Sequence, residues 1–176
     1  MYIESAAIGV VVGALGTIAG GLLALLIGKR LKEPRPFLAF AGGMMVAVVF
    51  FDMFIESAQL GGILIMITGA AVGGVFFAVA APLVSRGDEP SMFTMGILVL
   101  VGIALHNLPE GIAIGAALVE NQRMALSLAL LMLVHDVPEG IAVCLPLRMA
   151  GLPVSRVFFL AFLTAIPTAA GAVIGT

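Results

Sequence analysis

The sequence predicts an all-α protein, a polytopic membrane helix bundle with six transmembrane helices at about 5–28, 36–58, 61–84, 92–119, 123–147 and 154–176. Composition gives the class. Of 176 residues, 62% are hydrophobic and only 10% are charged, against roughly 25% charged in soluble domains. Mean hydropathy is +1.25. The apolar runs are each long enough to cross a bilayer, which takes ~20 residues. The breaks between them are short. A single transmembrane domain, 1–176, is therefore expected, with no soluble domain of useful size.

Each helix is bounded by a recognisable break. Helix 1 follows an N-terminus without a basic n-region, and its apolar run can span, so a removable signal peptide is not expected. It ends at "KRLKEPRP". Helix 2 ends at "AQLGG", helix 3 at "SRGDEPS", helix 4 at "ENQR" and helix 5 at "RMAGLPVSR". Helix 6 runs to "AVIGT" with no polar tail, from which the chain is expected to be a fragment.

Orientation follows from the basic residues. Lys29, Arg30, Lys32, Arg35, Arg86, Arg148 and Arg156 fall at one set of alternate loops, and only Arg123 falls at the other. Positive loops stay in the cytoplasm, so the N-terminus is expected outside. Helix 4 then runs outward and helix 5 returns. A net charge of −2 does not suggest nucleic acid as a partner, and a lone Cys144 excludes disulfides or thiolate clusters within one chain. Glycines four apart (Gly9 and Gly13, Gly16 and Gly20, Gly69 and Gly73, Gly111 and Gly115) indicate close helix contacts.

The chemistry lies in a repeat. "LHNLPEGIAIG" (Leu105–Gly115) returns as "VHDVPEGIAVC" (Val134–Cys144). In helix 4, His106, Asn107 and Glu110 are three or four apart and share one face. In helix 5, His135, Asp136 and Glu139 repeat the arrangement. The two helices are antiparallel, joined by a tight turn, and carry their motifs at the same depth.

An Asp at the centre of a membrane helix costs ~2.5–3.5 kcal/mol on insertion scales. Three carboxylates and two imidazoles at this depth call for a shared partner. Two divalent cations nearly balance three negative charges. Imidazole with carboxylate and no thiolate suits Zn, Fe(II), Mn or Co better than Cu(I). Pro109 and Pro138 are expected to kink the helices, because proline frees the carbonyls of Leu105 and Val134. Broken helices at this depth line ion sites in transporters.

At these residues the sequence resembles the ZIP (Zrt-, Irt-like) family of divalent metal transporters, along essentially the whole chain. "HNLPEG" and "HDVPEG" match the family's two signature motifs, and the short third loop without a His cluster resembles the prokaryotic branch. The resemblance implies import of Zn(II), and of Fe(II), Mn(II), Co(II) or Cd(II), into the cytoplasm. It implies a binuclear site holding up to two divalent ions per chain as substrate. His106, Glu110, His135 and Glu139 would form one position, and Asn107, Glu110, Asp136 and Glu139 the other. It also implies a homodimer, an elevator-like movement, and residence in a bacterial or archaeal cytoplasmic membrane. The family has eight helices, so helices 7 and 8 are not in this chain. Many members carry Glu before the proline of helix 6, where this chain has Ile166 before Pro167, so a weaker second position is expected.

Further candidates surround the motifs. Asp52 and Glu56, four apart near the outer end of helix 2, could collect cations at an entrance. Met44 and Met45 could contact a soft metal along a pathway, although methionine more often fills gaps. Ser127 could hydrogen-bond along that path. Cys144 is expected to pack, and Asp88 and Glu89 to be solvated. An enzyme is not expected: a zincin carries H-E-x-x-H and a di-iron bundle carries E-x-x-H, whereas this chain has H-x-x-x-E. An intramembrane metalloenzyme and a non-transporting metal-binding membrane subunit are the alternatives to a transporter.

Overall fold

In the computed structural model, residues 2–30, 35–84 and 91–176 are described, except for the side chains of residues 27–30, 35, 52 and 56. Most of the loop charges that set the orientation, together with Asp88 and Glu89, lie outside the described residues, as do the side chains of Asp52 and Glu56. Among the described residues the regular structure is entirely helical: α1 (Tyr2–Arg30), α2 (Arg35–Val48), a π-helical turn (Val49–Met53), α3 (Phe54–Val84), α4 (Met92–Glu120), α5 (Gln122–Met149), α6 (Val154–Leu163) and α7 (Ala165–Ile174). Among the described residues, five spans are long and apolar enough to cross a membrane, and α2 is a shorter apolar helix.

The breaks have local causes. Helix 2 of the sequence is α2, the π turn and the start of α3, which continue as one rod because Val48 and Phe54 on either side of the turn stay in the α region. The rod ends inside "AQLGG" at Gly62, whose φ of 83° and ψ of 160° suit only glycine. Ser91 caps α4 by accepting from the Thr94 N–H at 3.1 Å. The α4–α5 turn is a single extended residue, Asn121, whose Oδ1 accepts from Arg123 N at 2.9 Å and Met124 N at 3.4 Å, as an N-cap asparagine does. At the far end of α5, Gly151 with φ 86° forms a Schellman-type cap, and the Arg148 guanidinium donates to the Leu152 carbonyl.

Helix 6 is interrupted at Thr164, between α6 and α7. Pro167 has no N–H to return to the Leu163 carbonyl, so the hydrogen-bond ladder has a gap there. By contrast, α4 and α5 continue as α-helix through Pro109 and Pro138. The interruptions fall in helices 2 and 6 of the sequence, not at the two motif prolines.

α1, α4, α5 and α7 pack backbone to backbone. A methyl group added to Gly111 of α4 would collide with the Thr168 carbonyl oxygen of α7, and one added to Gly140 of α5 would collide with the Thr17 carbonyl of α1. Without a hydrophobic force between helices in lipid, such close approach is what holds them. The buried core runs along the C-terminal half of α5, through Ile141, Val143, Leu145 and Leu147 against Ile103, Val157 and Ala161. α3 has an apolar, exposed surface, including Leu64 and Val72, as a lipid-facing helix should.

Candidate metal centre

The twin motifs meet. The α4–α5 turn makes the helices neighbours, and helical spacing turns His106 and Glu110 toward His135 and Glu139. Within helices, His106 Nε2 lies 3.2 Å from Glu110 Oε1, and His135 Nε2 lies 3.3 Å from Glu139 Oε1. Across helices, His106 Nε2 is 3.7 Å from Glu139 Oε1, and His135 Nε2 is 4.0 Å from Glu110 Oε1. The imidazole rings are 5.6 Å apart between centroids. Ligand atoms of His106, His135 and Glu139 all lie within 4.8 Å of one another, so one ion can be reached by all three.

A different set of buried oxygens has no partner. Among the described residues, Asn107 Oδ1, Asp136 Oδ1, Glu139 Oε2 and Thr168 Oγ1 are buried without a hydrogen-bond partner. Such orphans are uncommon in folded proteins. Glu139 thus has one oxygen among the imidazoles and the other in the unpartnered set. Asn107 is fully buried, and its Nδ2 donates to the Thr164 carbonyl at 2.9 Å.

Two cavities meet at the imidazoles. One, of about 580 Å³, holds Pro109, Glu110, Ala113 and Leu128. The other, of about 430 Å³, holds Leu98, Gly102, Ile103 and Glu139. His106, His135, Val48 and Met53 line both. By chain position the first opens from the motifs toward the α4–α5 turn and the second toward the opposite face. Each has a carboxylate beside the imidazole pair.

The remaining candidates separate. Met45 lines the smaller cavity, whereas Met44 is 41% exposed. Met53, which no motif singled out, lines both cavities. Cys144 is fully buried among core residues. Ile166 is 53% exposed, and helix 6 reaches the motifs through Thr164 and Thr168 instead.

A helical membrane bundle with paired His and Glu residues at the meeting point of two cavities defines an integral membrane protein of the metal-handling kind. The comparisons with known proteins make this specific. The profile of the ZIP zinc transporter family matches residues 84–176. The zinc transporter GufA of Myxococcus xanthus is 30% identical over 181 residues, covering 91% of this chain and 71% of that protein. The zinc transporter ZupT of Chlorobium limicola is 26% identical, covering 92% of this chain and 70% of that protein. The chain belongs to the ZIP family, a family of transporters and not of enzymes. It spans 22% of a longer relative from Arabidopsis thaliana.

Proposed function

We propose that this chain moves divalent transition-metal ions, Zn(II) foremost, across a bacterial or archaeal cytoplasmic membrane into the cytoplasm. The observation that carries this reading is the cross-helix set of His106, Glu110, His135 and Glu139 where the two cavities meet. A bare ion in an apolar cavity is unstable. It rests where imidazole and carboxylate replace its water, and nitrogen with oxygen ligands suits Zn(II), Fe(II), Mn(II) and Co(II).

The binuclear reading has the support of Glu139. Its Oε1 faces the imidazoles, and its Oε2 belongs to the unpartnered oxygen set with Asn107 and Asp136. His106, Glu110, His135 and Glu139 form the first position. Asn107, Glu110, Asp136 and Glu139 form the second. The N-terminus lies outside, so ions reach the motifs through the larger cavity and leave through the smaller. The backbone contacts among α1, α4, α5 and α7 support their movement as one body, in the elevator manner the family suggests, in a homodimer.

Liposomes carrying the purified chain and a Zn(II)-sensitive dye inside test this reading. Saturable Zn(II) entry, competed by Co(II) or Cd(II) and lost in Glu139→Ala, is the expected result. Entry that survives Glu139→Ala at the wild-type rate would refute it.

A further inference from the structure

Helix 6 contributes one side-chain oxygen to the unpartnered set, and it belongs to Thr168. This residue is 2% exposed, and its hydroxyl has no hydrogen-bond partner. A threonine inside a helix ordinarily returns its hydroxyl to a carbonyl three or four residues back. Thr17 does so to Gly13 and Thr164 to Ala161. The carbonyl four residues before Thr168 is that of Thr164, which accepts the Asn107 amide. Thr168 is therefore beside Asn107 and does not use the usual bond.

Its hydroxyl points at α1. A methyl group added to Gly13 would lie 2.7 Å from Thr168 Oγ1, and one added to Gly16 would lie 3.2 Å from Asp136 Cγ. Gly13 and Gly16 are one turn apart on the same face of α1. The groove left by these glycines thus receives Thr168 from α7 and Asp136 from α5, and Asn107 of α4 is tied to the Thr164 carbonyl one turn before Thr168. Thr168, Asn107 and Asp136 are each at least 98% buried.

We propose that Thr168 is a metal ligand of the oxygen-lined position, where its hydroxyl joins Asn107 Oδ1, Asp136 Oδ1 and Glu139 Oε2 around a hard divalent cation such as Mn(II). The inference rests on the two-position reading above. Oxygen ligands without imidazole favour Mn(II) and Mg(II) over softer ions. A hydroxyl adds no negative charge, so the position holds its ion less tightly than a carboxylate there would. Ile166 is exposed and takes no part.

The test is an electron paramagnetic resonance titration of the full chain in nanodiscs with Mn(II), after Zn(II) has filled the imidazole position. Wild type and Thr168→Ser should take one Mn(II) beside the Zn(II). Thr168→Val, which keeps the shape and removes the hydroxyl, should bind Mn(II) at least 10-fold more weakly with its Zn(II) content unchanged. Wild-type Mn(II) affinity in Thr168→Val overturns the role of Thr168 while leaving the oxygen position standing. Loss of Zn(II) together with Mn(II) in Thr168→Val makes the hydroxyl a packing group and overturns it as well. A wild-type chain that takes no ion beside Zn(II) removes the second position itself.

Discussion

Asn107 donates from Nδ2 to the main-chain carbonyl of Thr164 at 2.9 Å, tying α4 to the interruption between α6 and α7. A carbonyl can only accept, so the contact fixes which way the carboxamide faces and leaves Oδ1 without a hydrogen-bond partner. Asn107→Asp should set two acceptors against each other. In chelator-treated protein this should cost about 1–3 kcal/mol, the penalty of an unmet buried polar group. Thermal unfolding in detergent should show Asn107→Asp melting below wild type. An unchanged midpoint would mean that the tie contributes nothing.

Glu139 stands 3.3 Å from His135 and 3.7 Å from His106, and it is nearly fully buried. Glu139→Ala should remove both metal positions, as should Glu110→Ala. Asn107→Ala and Asp136→Ala should keep the imidazole position and lose the other. Elemental analysis after a Zn(II) soak reads this directly. Equal stoichiometry in all four variants and wild type would discard the binuclear arrangement.

Gly111 and Gly73 offer matched alanine substitutions with opposite surroundings. A methyl on Gly111 meets the Thr168 carbonyl, whereas one on Gly73 meets nothing within 4 Å. Overpacking of this kind costs about 1–3 kcal/mol, and an open helix position gains from alanine over glycine. Gly111→Ala should lower the unfolding midpoint and Gly73→Ala should hold or raise it. Equal shifts would mean that α4 and α7 do not pack this closely.

Met53 and Met44 divide in the same way. Met53 lines both cavities, and Met44 is exposed. Zn(II) uptake by Met53→Ala should change in KM by several-fold, while Met44→Ala should behave as wild type. The reverse pattern would place the pathway on another face of α2.

The spans and the twin motifs were legible because hydropathy and helical spacing are local properties. His106 and Glu110 are on one face wherever their helix goes, and a short turn after Glu120 leaves α5 little choice of neighbour. Gly62 sits in a break that the sequence advertised. Thr168 was not legible. In "IPTAAG" it reads as a small helix residue, and its significance lies in a glycine groove on α1 and in an asparagine on α4, both remote in sequence. Helix 6 was read as one run over 154–176, and only the fold shows its interruption at Thr164 and that the Thr164 carbonyl receives Asn107. The π turn had no signal, since "VFFDM" contains neither proline nor glycine.

That π turn works as an indexing step. In an uninterrupted α-helix, Met45 and Met53 would be offset by about 80° around the axis. One residue absorbed by a π turn reduces the offset to about 20°, and both side chains line the same cavity. Met53, Ser57 and Leu60 on the larger cavity share this phase. Straightening Val49–Met53 into α-helix with all five residues kept would rotate the far end of the rod by about 100°. The wall facing the imidazoles would turn away, with every side chain still present and none of them aligned.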